Sequence, residues 1–198
     1  MGVAFDDLLF GFRPARWAWK PLLKHLVTGS FDPLVMGRGQ TDVPARLQRL
    51  GLYLHVPFCH NLCPYCPYHR VKFDAELFSR YETAAHQEID LRARQMSESL
   101  TASGCERPRI VSLYLGGGTP TVVPDALTRL VAHLADAFGQ PGDVCIELYP
   151  SAMDDECLRL LRAAGVTMLS VGVESLSDRL LELIGRSHDA STAEDAVR

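Results

Sequence analysis

From residue 50 onward, short apolar runs alternate with amphipathic stretches, and the alternation repeats four times. The runs Gly51–Val56 (GLYLHV), Ile110–Leu115 (IVSLYL), Val144–Leu148 and Met168–Val173 read as strands. After the first, Asp74 is placed to cap a helix reaching about Met96, with Leu77, Phe78, Tyr81 and Ile89 at helical spacing. Thr101–Arg109 reads as a loop. Pro124–Phe138 carries Leu127, Leu130, Val131 and Leu134 on one helical face and is closed by Gly139. Asp154 caps a short helix ending at Gly165, and Ser175 with Asp178 forms a capping-box pattern for a helix Leu176–Ile184, ended by Gly185. Strands apolar almost throughout, joined by helices, describe an α/β chain with a parallel sheet covered by its crossover helices.

A second capping box, Ser191 with Glu194, opens a helix at Thr192, yet the sequence stops at Arg198. A helix that short is not stable alone. The expectation is a barrel truncated after about four β/α units rather than an open doubly wound sheet, and hence the N-terminal part of a longer protein. Residues 50–198 form this region. Residues 1–49 differ: they hold Trp17 and Trp19 and the breakers Pro14, Pro21, Pro33 and Pro44. They read as an N-terminal extension packed on the main domain, in preference to a lid, with a short helix at Pro21–Val27 opened by Pro21.

Composition narrows the function. With 20 basic and 24 acidic residues the net charge is −4, and no basic block stands out, which argues against nucleic acid as a partner. No apolar run approaches a membrane span, and the start of the chain lacks a secretory pattern. Three of the six cysteines, Cys59, Cys63 and Cys66, fall within eight residues, a spacing unsuited to pairing among themselves. A reducing, cytoplasmic location with a metal at this cluster is the consistent reading. Cys145 and Cys157 read as buried small hydrophobes, and Cys105 falls in a loop.

The cysteines follow the first strand in C-x3-C-x2-C spacing, at the carboxyl end of the sheet, where sites form in parallel α/β domains. Three thiolates can hold three irons of a cubane cluster and leave the fourth open to a ligand. A zinc site completed by His69 is the alternative. Gly116-Gly117-Gly118-Thr119-Pro120 follows the second strand and is neither a P-loop nor a dinucleotide fingerprint. It reads either as a plain tight turn or as backbone opened to a ligand. Glu147 ends the third strand and Glu174 follows the fourth, so two acids need partners at the same end. Arg186, after the next helix, is placed either to meet a carboxylate or to stand in solvent.

Taken together, Tyr53 through Cys66, GGGTPT at Gly116–Thr121, Glu147, Gly172–Ser175 and Gly185–Asp189 resemble the radical S-adenosylmethionine superfamily. The closer resemblance is to its oxygen-independent coproporphyrinogen III oxidase-like and haem chaperone-like branch, over residues 51–198. It implies a partial TIM-like (β/α)6 barrel, with a [4Fe–4S] cluster on Cys59, Cys63 and Cys66. S-adenosylmethionine would be bound by Tyr53, Tyr65, Gly117, Gly118, Thr119, Glu147, Glu174 and Arg186. The implied chemistry is cleavage of S-adenosylmethionine to a 5′-deoxyadenosyl radical, with the electron from a donor such as flavodoxin or ferredoxin. The implied substrate is a small molecule of tetrapyrrole type; haem binding by a chaperone and radical methyl transfer are the alternatives. The chain departs from the family pattern at Glu174, where glutamine is usual, at Thr167-Met168, where Asn-Arg is usual, and at Tyr68, where the oxidases carry a further cysteine.

Overall fold

The computed structural model describes residues 48–198, so the extension read over residues 1–49 and its helix at Pro21–Val27 lie outside the described residues, except for the last two positions. Strand β1 (Arg49–Val56) is followed by a two-residue strand β2 (Phe58–Cys59), the cysteine loop and a second short strand β3 (Val71–Lys72). Helix α1 (Ala75–Ser103), strand β4 (Arg109–Gly117), helix α2 (Pro124–Phe138), strand β5 (Asp143–Leu148) and helix α3 (Asp155–Ala163) follow. Strand β6 (Met168–Val171) and helices α4 (Asp178–Leu183) and α5 (Ala190–Ala196) complete the described region. The main sheet is parallel throughout, in the order β1-β4-β5-β6. That order, with a helical crossover after each strand, is the expected part of a (β/α) barrel.

Alternation along the strands gives the sheet two unlike faces. Ile110, Leu113 and Leu115 of β4 and Val144, Ile146 and Leu148 of β5 bury into one core with Leu127, Leu130 and Leu134 of α2. Ile110 and Leu113 are three apart yet share that face, because a register shift opposite Leu50/Gly51 leaves Val111 as an extra residue in β4. The opposite face is open. There Tyr53, Tyr114, Cys145 and Met168 sit in register across all four strands, and Tyr53 and Met168 are 61% and 56% exposed. Cys145 is therefore only half-buried on this face, not in the apolar core where its run of neighbours pointed; Cys157 is buried in the core as expected.

Several boundaries differ from the sequence reading. Helix α1 runs past Met96 to Ser103, stopped by Gly104 in the left-handed conformation at φ 64°. Within that last stretch, Thr101 and Ser103 return their hydroxyls to the carbonyls of Ser97 and Ser99, so polar residues that looked like a loop stay helical. Leu77 points to solvent, while Phe78, Ile89 and Met96 carry the buried face. Strand β4 continues through Gly116 and Gly117, because β1 pairs with both. Strand β6 ends at Val171. Helix α4 starts only at Asp178, as Ser175 spends its hydroxyl on Ser177 N–H in a local turn. At α5 the cap is Asp189, which accepts from Thr192 N–H, rather than Ser191. Among the described residues no helix is long and apolar enough to cross a membrane.

Candidate metal and cofactor site

The cysteine loop is closed at its base by strand pairing. Val71 N–H donates to Pro57 O at 2.7 Å and Phe73 N–H to Cys59 O at 2.8 Å, which forms the parallel β2/β3 ribbon. Phe58 fixes the ribbon from below, its ring 5.2 Å from Phe78 and 5.4 Å from Tyr81. Tyr81 also donates its hydroxyl to His55 O at 2.7 Å, tying the end of β1 to α1. All three loop cysteines are free thiols; Cys59 and Cys63 are buried and Cys66 half-buried. Burial pushes the Cys59 thiol up, and a hydrogen bond from Thr119 opposes that shift.

The glycine run lies directly against this loop. Gly118 N–H donates to Val56 O at 2.8 Å and Thr119 N–H to Phe58 O at 2.7 Å. A Cβ on Gly118 would stand 2.6 Å from Phe58 O and 2.8 Å from Cys59 Sγ. Gly117 adopts φ 123° and packs as closely on Val56 O. The run is thus a seat for the cysteine loop, and a side chain at Gly118 would displace Phe58 and Cys59.

Both acids have partners. Glu147 accepts from Tyr114 Oη at 2.9 Å on one oxygen and from Gly117 N–H at 3.0 Å on the other. Glu174 stands in the left-handed region at φ 62°, alone among described non-glycine residues, and its carboxylate lines the same cavity as the Tyr65 hydroxyl. Burial, with Glu174 adding to it and Arg186 opposing it, pushes that hydroxyl up to about 12. Arg186 returns one N–H to Gly172 O and another to Cys63 Sγ at 3.7 Å, with its guanidinium 4.2 Å above the Tyr149 ring. A third N–H, Nε, is buried without a partner.

These groups surround one cavity of about 250 Å³. Cys59, Cys63 and Cys66 line it together with Tyr65, Gly117, Gly118, Thr119, Glu147, Glu174 and Arg186. Tyr53 is the exception. It stands beside the cavity on the open sheet face, stacked on Tyr114 at 6.0 Å and bonded to His55 Nδ1 at 2.8 Å. Arg70 and Tyr149 line the cavity and were missed by the sequence reading. Tyr149 was within reach of it, because it follows the end of β5 by one residue with its backbone still extended, two positions after Glu147 and so on the same side. Arg70 carries no such signal, since β3 is only two residues long.

The donor set fits an iron–sulfur cluster with a small zwitterionic ligand. Three thiols converge on a cavity that also offers two carboxylates and guanidinium groups with buried, unpartnered N–H atoms on Arg70 and Arg186. Among the described residues, no three His, Cys, Asp or Glu side chains are placed to hold a single ion. His69 contributes its carbonyl, which accepts from His55 Nε2 at 2.9 Å.

A parallel (β/α) sheet with three cysteines at its carboxyl end, facing a glycine seat and paired acids, defines a class, and the sequence profile of the Radical SAM superfamily matches residues 53–198. The chain belongs to that superfamily, whose members use a [4Fe–4S] cluster and S-adenosylmethionine. Among curated relatives, it is 31% identical over 193 residues to the oxygen-independent coproporphyrinogen III oxidase of Paracoccus denitrificans, covering 96% of this chain and 41% of that one. It is 30% identical over 140 residues to the heme chaperone HemW of Bacillus subtilis, covering 69% and 35% respectively. The radical S-adenosyl methionine domain-containing protein 1, mitochondrial, of Bos taurus is 34% identical over 163 residues, covering 79% and 34%. The solved coproporphyrinogen III oxidase (HemN) of Escherichia coli superposes with a TM-score of 0.65 at 30% identity, over 79% of this chain and 35% of that one. The chain thus spans between 34% and 41% of the length of these relatives.

Proposed function

We propose that Cys59, Cys63 and Cys66 bind a [4Fe–4S] cluster whose open iron takes S-adenosylmethionine, and that the protein acts on a tetrapyrrole. The observation that carries this is the meeting of the three thiols, the glycine seat, Glu147, Glu174 and Arg186 around one cavity. When bound, the cluster supplies the electron that cleaves the sulfonium and so starts hydrogen abstraction from substrate.

The chain's own groups do the positioning. The Arg186 guanidinium, anchored at Gly172 O, offers its free Nε–H to the cofactor carboxylate. Glu147 is held at both oxygens and so presents a fixed negative edge to the cofactor amine or ribose. Glu174 and Tyr65 line the same cavity and add a carboxylate and a phenol to the polar groups that would surround the cofactor. Gly117, Gly118 and Thr119 bring backbone against the cysteine loop without a side chain between. Tyr53, outside the cavity, packs on Tyr114, the residue that holds Glu147, and so would act on the cofactor site through that pair.

Haem chaperoning is the second reading, favoured by Tyr68 in place of a further cysteine and by the likeness to HemW. Anaerobic incubation with S-adenosylmethionine, a reductant and coproporphyrinogen III separates the two. Release of 5′-deoxyadenosine with loss of propionate carboxylates supports the oxidase. Stoichiometric haem binding with an unchanged porphyrinogen supports the chaperone, and the absence of both results overturns the tetrapyrrole reading.

A further inference from the structure

We infer that Arg70 is the clip of the cysteine loop and a fixed positive charge beside it, a positioning residue for the cluster that the loop holds. The inference rests on the cluster reading above. Its ground is where Arg70 stands and what it touches. The residue immediately precedes β3, so the ribbon that closes the loop also fixes the Arg70 backbone. From there the side chain turns back across the loop. Its Nη2 donates to Cys63 O and its Nη1 to Tyr68 O at 3.4 Å, carbonyls on either side of Cys66. Of the three ligands, Cys59 is held by the ribbon and by Thr119, and Cys63 Sγ is met by Arg186. Cys66 is the least buried of the three, and its backbone N–H makes a 3.2 Å bond to Cys63 O, the same carbonyl that Arg70 holds. Arg70 is therefore the side chain that braces the segment carrying Cys66.

Only a guanidinium does this. A planar fork reaches two carbonyls at once, whereas an ammonium is a single point of attachment. The remaining donor, Nε, is buried without a partner while Arg70 lines the cavity, an arrangement suited to a negatively charged group within it. A guanidinium stays charged at every accessible pH. A cluster held by thiolates gains negative charge on reduction, so a cation fixed beside it favours the reduced form. Arg186 reaches the sulfur of Cys63 at 3.7 Å. Arg70 and Arg186 thus bracket Cys63, one at its carbonyl and one at its sulfur.

The test compares the full chain, reconstituted anaerobically with iron and sulfide, with Arg70→Lys and Arg70→Met. The midpoint potential is read by redox titration of the paramagnetic signal, and iron loss by the rate of capture by a ferrous chelator. In Arg70→Met the reduction equilibrium is expected to fall about tenfold, equivalent to ~59 mV for one electron, with faster iron loss. Arg70→Lys is expected to keep the potential near the parent value and still lose iron several-fold faster. A change in folding alone would not separate the two readouts in this way. Wild-type potential and iron retention in Arg70→Met overturn the inference while leaving the cluster reading intact. Should Arg70→Met take up no cluster, Arg70→Lys decides: faster iron loss supports the clip, and parental retention overturns it. A parent chain that takes up no cluster overturns the cluster reading and this inference together.

Discussion

Gly118 has no room for a side chain, and what occupies that room is the cysteine loop. A methyl group there meets Phe58 O at 2.6 Å and Cys59 Sγ at 2.8 Å. Gly118→Ala is expected to lose most of its cluster iron and about 1–3 kcal/mol of stability, measured by iron content and urea unfolding. Tyr114→Phe removes one of the two groups that hold Glu147, a hydrogen bond to a charged acceptor worth about 1.5–3 kcal/mol. It is expected to weaken S-adenosylmethionine binding several-fold, read by calorimetry, with the cluster retained. At this scale the sequence was legible wherever a residue broke the rule of its surroundings. Glu147 is an acid in an apolar strand and Gly116–Gly118 a run without side chains, so both announced a site. Arg70 broke no local rule; its importance comes from a turn of chain that returns it to Cys63, and spacing does not encode that turn. Tyr53 carried the right motif, but it stands in register with Cys145, two residues short of Glu147 along the same open face, and so lies beside the cavity rather than in it.

At the scale of elements, α2 was legible end to end because every cue agreed: Pro124 at its start, an apolar face, and Gly139 past its end. Leu127 on that face is 1% exposed, and Leu127→Ala is expected to cost about 2–5 kcal/mol, seen as a lowered urea midpoint. The caps of α4 and α5 misled because Ser175 and Ser191 compete with neighbours for the same role. Asp189 wins at α5 with bonds to both the N–H and the hydroxyl of Thr192, which also hold its carboxyl below the usual range. Between those helices, buried His188 bonds to Val173 O at 3.2 Å, and burial holds its imidazole below its ordinary value. The unfolded chain then binds the proton more readily than the folded one. The stability owed to neutral His188 is complete above about pH 6.5 and is lost as pH falls through the folded value. Urea midpoints are expected to drop between about pH 7.5 and about pH 5, and His188→Asn to flatten that drop.

Across the whole molecule, the parallel α/β architecture was legible because strand and helix periods alternate so regularly. The order β1-β4-β5-β6 follows from that alternation, as each crossover sets the next strand beside the last. What periodicity did not reveal is the division of labour between the two sheet faces, one sealed by helices and the other bearing Tyr53, Tyr114, Cys145 and Met168. The carboxyl ends of the strands draw Cys59, Gly118, Glu147 and Gly172 to one cavity from positions far apart in the chain. Whether that cavity holds a cluster with an open iron is tested most directly by one spectrum. The chain is reconstituted anaerobically with iron and sulfide and reduced, and its electron paramagnetic resonance is recorded with and without S-adenosylmethionine, alongside Cys63→Ala. The expected result is a [4Fe–4S] signal that shifts when S-adenosylmethionine is added and is absent from Cys63→Ala. A colourless protein that binds zinc, or a cluster that survives unchanged in Cys63→Ala, would contradict the assignment.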